Sequence, residues 1–200
     1  MDRWQPVVEQ PDRLGESPFW HPGEGRLYWV DIPGRQLRRA VPGAGPADSW
    51  PMPQEPGCIA PARDGGLVVA LRDGIYRVRT WGGALERLQP APYDPATSRY
   101  NDGKADPRGR FWAGTLFEPK HTPLAELHCL DPATGALTRV AGEATTGNGL
   151  AWSPDADTLY WADTQARMAC AWVSAQYSVP ASGDQARPLP VVASPATRVR

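Results

Sequence analysis

The stretch SPFWHPGEGRLYWVDI, residues 17–32, decides the fold because it has the pattern of one complete β-hairpin. An apolar pair is followed by the turn sequence His-Pro-Gly-Glu-Gly, and then by a strand of aromatic and β-branched residues. The pattern returns in residues 58–78, 104–116 and 150–164. These hairpins recur about every 45 residues, a period typical of propeller blades with four short strands each.

The repeat predicts an all-β chain, a β-propeller of about four blades. We expect hairpin strands near residues 17–20, 26–31, 67–71, 110–115 and 158–162. A β-sandwich whose turns are alike by coincidence is the alternative, and the regular spacing disfavours it. The 23 Pro and 20 Gly of the 200 residues suit many turns, and the nine Trp suit sheet surfaces.

The net charge of −1 and the scattered basic residues argue against nucleic acid and membrane partners. Three cysteines without a C-x-x-C pair disfavour a zinc knuckle or a disulfide scaffold. The chain begins without a basic, apolar leader and has no stretch of about 20 apolar residues. We therefore expect a cytoplasmic protein.

Polar residues stand just upstream of three hairpins: Glu16, then the group Arg99, Asn101 and Asp102, then Asn148. We expect residues 99–104 to form a turn. In a propeller, loops that lead into the inner strands meet at the central channel. A carboxylate with two carboxamides suits Ca²⁺, Mg²⁺ or Mn²⁺ and, with water, Zn²⁺. Taken singly, each residue fits a turn or a solvated surface equally well, so the matched positions are what favour a site.

Other catalytic motifs do not appear in the sequence: it has no G-x-S-x-G, no P-loop, no G-x-G-x-x-G and no H-E-x-x-H. A Ser-His-Asp triad stays open, but no residue selects one.

Three segments closely resemble signatures of the gluconolactonase/regucalcin-like family, which includes luciferin-regenerating enzymes. They are LGESPFWHPGEGRLYWVDI, RYNDGKADPRGRFWAGT and NGLAWSPDADTLYWADT. The resemblance implies a six-bladed propeller with one divalent metal ion in its central channel, Ca²⁺ before Zn²⁺, Mg²⁺ or Mn²⁺. It also implies hydrolysis of a sugar lactone, a small-molecule substrate. By this resemblance, Glu16 and Asn148 are metal ligands. Arg99 and Asn101 are substrate-binding residues, with Asn101 near the metal through water.

The family's later Pro-Asp-Gly turn, with its acidic ligand and general-base Asp, has no counterpart after Asp163. The catalytic residue therefore stays unknown. We expect residues 1–165 to form a partial propeller, and 166–200 an atypical tail that is disordered or read out of frame. A chain truncated or frameshifted in this way is expected to be an impaired lactonase. The alternative function is a non-catalytic calcium-binding or interaction propeller.

Overall fold

Four antiparallel β-sheets form the structure, a computed structural model that describes residues 6–166 and the backbone of 168–173. Within each sheet the strands follow one another in chain order. The first sheet contains β1 (Gly15–His21), β2 (Arg26–Asp31), β3 (Gln36–Ala40) and β4 (Asp48–Pro51). The second contains β5 (Pro56–Pro61), β6 (Leu67–Leu71), β7 (Gly74–Val78) and β8 (Leu85–Pro90). The third contains β9 (Ser98–Ala105), β10 (Phe111–Phe117), β11 (Ala125–Leu130) and β12 (Leu137–Ala144). The fourth contains β13 (Gly147–Trp152), β14 (Thr158–Asp163) and β15 (Met168–Val173).

The first strands of the four sheets lie at the centre. β5 packs between β1 and β9, β13 packs beside β9, and β1 also approaches β9. The fourth strands β4 and β8 lie at the periphery and are mostly exposed. This arrangement confirms the all-β propeller fold predicted from the repeat. Across the part of the chain that the structure describes, no helix is long and apolar enough to cross a membrane.

Each pair of neighbouring sheets shares an apolar cluster. The first and second sheets enclose Val30, Leu37 and Val69, and the third and fourth enclose Leu127, Leu159 and Trp161, among others. Between the second and third sheets the cluster includes Cys58, Ile75, Tyr100 and Phe111. The apolar residues of the repeated hairpins therefore hold sheet against sheet.

The hairpin turn between β9 and β10 depends on one buried carboxylate. Asp106 is 6% exposed, and its Oδ1 accepts hydrogen bonds from the backbone N of Arg108 and of Arg110, both at 2.9 Å. Its Oδ2 accepts from Trp112 Nε1 at 2.9 Å. Asp106, the first residue of the sequence Asp-Pro-Arg-Gly, thus fixes both the turn and the strand that follows it.

The prediction of a turn over residues 99–104 is wrong, because these residues lie in β9. β9 pairs with β10 from Ala105 opposite Phe111 to Ser98 opposite Phe117. A β-bulge in the middle of β9 accommodates polar residues in a central strand. The fourth sheet continues beyond residue 165 as far as Val173. The rest of the predicted tail, 174–200, lies outside the described residues.

Candidate functional site

The four central strands carry bulges at one common level. Gly15 pairs with Asp31, Pro56 with Leu71, Tyr100 with Thr115 and Gly147 with Asp163. A register shift follows this pair directly in β5 and β9. In β1 and β13 the shift comes one residue later, after Glu16 opposite Val30 and after Asn148 opposite Ala162. The residues that come directly after the four pairs are Glu16, Gly57, Asn101 and Asn148. A bulge re-aims side chains that regular alternation would send to opposite faces. Three of the four sheets therefore present a polar side chain at the same level of the centre.

Asn101 is fixed between the third and fourth sheets. It is 7% exposed; its Nδ2 donates to Gly147 O at 3.0 Å, and its Oδ1 accepts from Arg99 Nη1 at 2.9 Å. Arg99 Nη1 also donates to Tyr100 O at 2.9 Å. Arg99 Nη2 makes no hydrogen bond within the described residues, so this nitrogen remains a donor for a ligand.

Asp102 joins the bulge of β9 to the bulge of β13. Its Oδ1 accepts from the backbone N of Gly103, and its Oδ2 from the backbone N of Gly149, each at 2.9 Å. Gly149 has a φ of 58°, in the left-handed region that favours glycine. Its backbone N also lies 3.2 Å from Asn148 Oδ1. The Asp102 carboxylate therefore braces the backbone next to Asn148.

Glu16 is half-buried, and its carboxylate makes no hydrogen bond or ion pair with any other residue that the structure describes. Burial and the negative charge of Asp102 raise the pKa of Glu16, and the positive charge of Arg99 partly opposes this. Burial also raises the pKa of Asp102. The carboxylates of Glu16 in β1 and Asp102 in β9 therefore repel one another. A cation bound between them would relieve this repulsion.

The available donors suit a hard cation. Glu16 contributes a carboxylate and Asn148 a neutral carbonyl oxygen, the ligand types that Ca²⁺ and Mg²⁺ prefer. Asn101 has both side-chain atoms engaged, which suits contact through water better than direct ligation. In the described ranges, no group of three His, Cys, Asp or Glu residues could hold a metal ion by itself. Carboxamide oxygens would therefore have to complete a cation site.

Asp163 has a structural role. Its carboxylate accepts from Thr145 N at 2.7 Å, Thr145 Oγ1 at 2.6 Å and Thr146 N at 3.1 Å. Burial alone would raise the pKa of Asp163, but these hydrogen bonds outweigh it and lower the pKa. Asp31 binds Leu14 N and Gly34 N in the same way in the first sheet. These two carboxylates hold the backbone at the ends of β2 and β14.

A network of charges that joins the second and third sheets lies beside Arg99. Glu118, directly after β10, is 3.7 Å from Arg99 Nε through its Oε1, and it also binds Arg72 of the second sheet. Arg72 and Glu118 are 46 residues apart in sequence. No local pattern joins them, and the register of the sheets is what places them in contact.

Comparisons with known proteins agree with the fold. A family model described as the SMP-30/gluconolactonase/LRE-like region matches residues 14–190. A 6-deoxy-6-sulfogluconolactonase of Pseudomonas putida is 43% identical over 158 residues, which cover 79% of this chain and 54% of that protein. A pentonolactonase of Haloferax volcanii is 38% identical over 164 residues, covering 80% and 53%. The crystal structure of a calcium-binding protein, regucalcin, from Agrobacterium tumefaciens matches with a TM-score of 0.77 and 26% identity, over 84% of this chain and 56% of that one. The chain spans about half the length of the curated relatives it matches.

Proposed function

Because the chain belongs to the SMP-30/gluconolactonase/LRE-like family, we propose that it is part of a sugar lactone hydrolase that depends on a divalent cation. The membership confirms the resemblance carried by its three motifs. The names of the relatives support a lactone of a sugar acid as the substrate.

One observation carries the proposal. Glu16, Asn101 and Asn148 follow equivalent strand pairs in three different sheets, so the fold brings them to one level of the central channel. A structural role for each residue alone would not require this match. The unpaired Glu16 carboxylate and the free Arg99 Nη2 supply one group for a cation and one for a substrate hydroxyl.

Glu16 and Asn148 would hold the cation, which supplies Lewis-acid polarisation of the lactone carbonyl when it is bound. Arg99 Nη2 donates to a sugar oxygen and fixes the orientation of the ring. Asn101, held by Arg99 and by Gly147 O, keeps the Arg99 guanidinium in place. Positioning of this kind lowers the barrier because the lactone meets water in a productive geometry.

We assign no general base within the described residues. Asp31 and Asp163 are engaged by backbone N–H groups, and Asp102 binds two of them. General-base help typically contributes a factor of about 10²–10⁴. We therefore expect slow turnover from the residues described.

Hydrolysis of D-glucono-1,5-lactone, followed by proton release and corrected for spontaneous hydrolysis, tests the proposal. Activity should disappear in EDTA and return with one of Ca²⁺, Mg²⁺, Mn²⁺ or Zn²⁺. Glu16→Gln should reduce it, whereas Glu86→Gln, an exposed glutamate of β8, is the matched control and should not. Equal activity of both variants, or full activity in EDTA, would contradict the proposal.

A cation-binding protein without turnover is the second candidate. The engagement of Asp31 and Asp163 favours it, and so does the calcium-binding description of the regucalcin structure. Calorimetric titration with Ca²⁺ separates the two: heat of binding that Glu16→Gln abolishes, without any hydrolysis, supports this second function.

A further inference from the structure

We propose that Arg72, in the second sheet, is a positioning residue that acts on Arg99 through Glu118. The inference rests on the proposed function, in which Arg99 binds the substrate. Arg72 itself stands in the two-residue turn between β6 and β7 and does not belong to the central strands.

The guanidinium of Arg72 donates hydrogen bonds to three parts of the chain. Its Nε donates to Glu55 Oε2 at 3.0 Å. Its Nη1 and Nη2 donate to the two oxygens of Glu118 at 3.0 and 2.8 Å, a bidentate pair. Nη1 also donates to Pro95 O at 2.9 Å and to Ser98 O at 3.4 Å. One side chain thus holds Glu118 and the backbone that leads into β9.

Glu118 is shared between two arginines. Its Oε1 accepts from Arg72 Nη2 and lies 3.7 Å from Arg99 Nε, too far for a hydrogen bond. Glu118 therefore attracts Arg99 without forming a hydrogen bond with it, and Arg99 Nη1 donates to Asn101 Oδ1 instead. The Arg99 side chain is 11% exposed, so these few partners determine where its guanidinium points.

Removing Arg72 changes this balance. Glu118 is 39% exposed and, among the residues that the structure describes, would then have Arg99 as its one remaining cationic partner. Its carboxylate would turn toward Arg99, form a direct pair and draw Nη1 away from Asn101. The substrate-facing donor would move, although no residue of the central strands had been replaced.

Kinetics distinguish this role from simple attachment of one sheet to another. Arg72→Met should raise KM for D-glucono-1,5-lactone roughly tenfold and leave kcat nearly unchanged, because Arg99 acts in binding. Arg72→Lys should recover part of the loss, since it restores the charge but not the bidentate geometry. Arg79→Met, which removes an exposed ion pair with Glu86 in the same sheet, is the matched control and should match wild type.

A double-mutant cycle tests the route through Glu118. In a Glu118→Gln background, Arg72→Met should have little further effect on KM, because the residue through which it acts has lost its charge. Additive effects of the two substitutions, or a fall in kcat with KM unchanged, would overturn the proposal.

An NMR measurement keeps the test independent of turnover. The ¹⁵N-correlated signal of Arg99 Nε–H, assigned by its loss in Arg99→Lys, should shift in Arg72→Met and Arg72→Lys but not in Arg79→Met. If wild type hydrolyses no lactone, the proposed function fails while this signal still decides the role of Arg72. If Arg72→Met does not fold, Arg72→Lys and Glu118→Gln supply the comparison. An unmoved Arg99 signal in the folded variants refutes the positioning role.

Discussion

Replacing Gly57 with Ala tests how closely the second sheet approaches the site. Gly57 stands in β5 at the position that Glu16, Asn101 and Asn148 occupy in the other central strands. A Cβ at Gly57 would lie 2.4 Å from Tyr100 O and 2.9 Å from Asn101 O. Both obstacles are backbone atoms of β9, so no side-chain rotation can relieve the contact.

The size of the effect follows from these distances. Ordinary van der Waals contact begins near 3.4 Å, so β5 and β9 must separate by about 1 Å. Overpacking of this kind costs roughly 1–3 kcal/mol. For a chain of this size each 1 kcal/mol lowers Tm by about 2–4 °C, which predicts a decrease of roughly 2–12 °C. Because Asn101 moves with β9, kcat/KM should also fall, by a factor that can approach about 10² for a displacement of 1 Å.

Differential scanning calorimetry in EDTA measures the first effect, and lactone hydrolysis measures the second. Gly23→Ala is the control, since a Cβ there meets the side chain of His21 at an ordinary 3.5 Å. A Gly57→Ala protein with the Tm and activity of Gly23→Ala would show that β5 and β9 are not held as closely as the structure indicates.

Three further substitutions have defined outcomes. Glu16→Gln should abolish the rise in Tm that Ca²⁺ gives the wild type, because a ligand that binds the native state stabilises it. In EDTA the wild type should lose stability relative to Glu16→Gln as the pH rises from about 4.3 through the raised pKa of Glu16. Tm curves of the two proteins that run parallel between about pH 4 and 8 would contradict this. Asp106→Ala should reduce the free energy of unfolding by roughly 2–3 kcal/mol in urea titrations, because buried donors of the β9–β10 turn lose their acceptor; a loss below that of an exposed control, Asp157→Ala, would argue against it. Asp163 has a lowered pKa, so its contribution to the stability of the fold is present above about pH 3.9 and is lost as the pH falls through the lowered value. The variant Asp163→Asn should therefore be less stable than the wild type at about pH 7 and should lose less stability in acid.

The hairpins were predictable because their signals are local. The turn residues and the apolar runs stand next to each other in sequence, and β2 (Arg26–Asp31) and β6 (Leu67–Leu71) match the predicted ranges. β9 was not predictable in this way. Its polar run resembles a turn, and a strand that lines a channel does not need apolar residues on its channel side.

The residues of the candidate site could be predicted from the sequence, but the contacts that hold them in place could not. The repeat and the family motifs indicated Glu16, Asn101 and Asn148, whose cation and substrate roles remain predictions. Arg72 gave no signal, because its partner Glu118 is 46 residues away and belongs to another sheet. Contacts between sheets depend on how neighbouring sheets pack, and no single hairpin encodes that.

The equivalent positions in the central strands also bear on how such a site can diversify. Glu16, Asn101 and Asn148 each belong to a different sheet, and each lies at a bulge outside the apolar clusters that hold the sheets together. Substitution at one of them changes the chemistry presented to the channel and leaves the shared cores intact, so new specificities can arise by single steps. Gly57 is the exception, since the backbone of β9 occupies the space that a side chain would need. Directed evolution of this chain should therefore accept variation at three of the four positions and return glycine at the fourth.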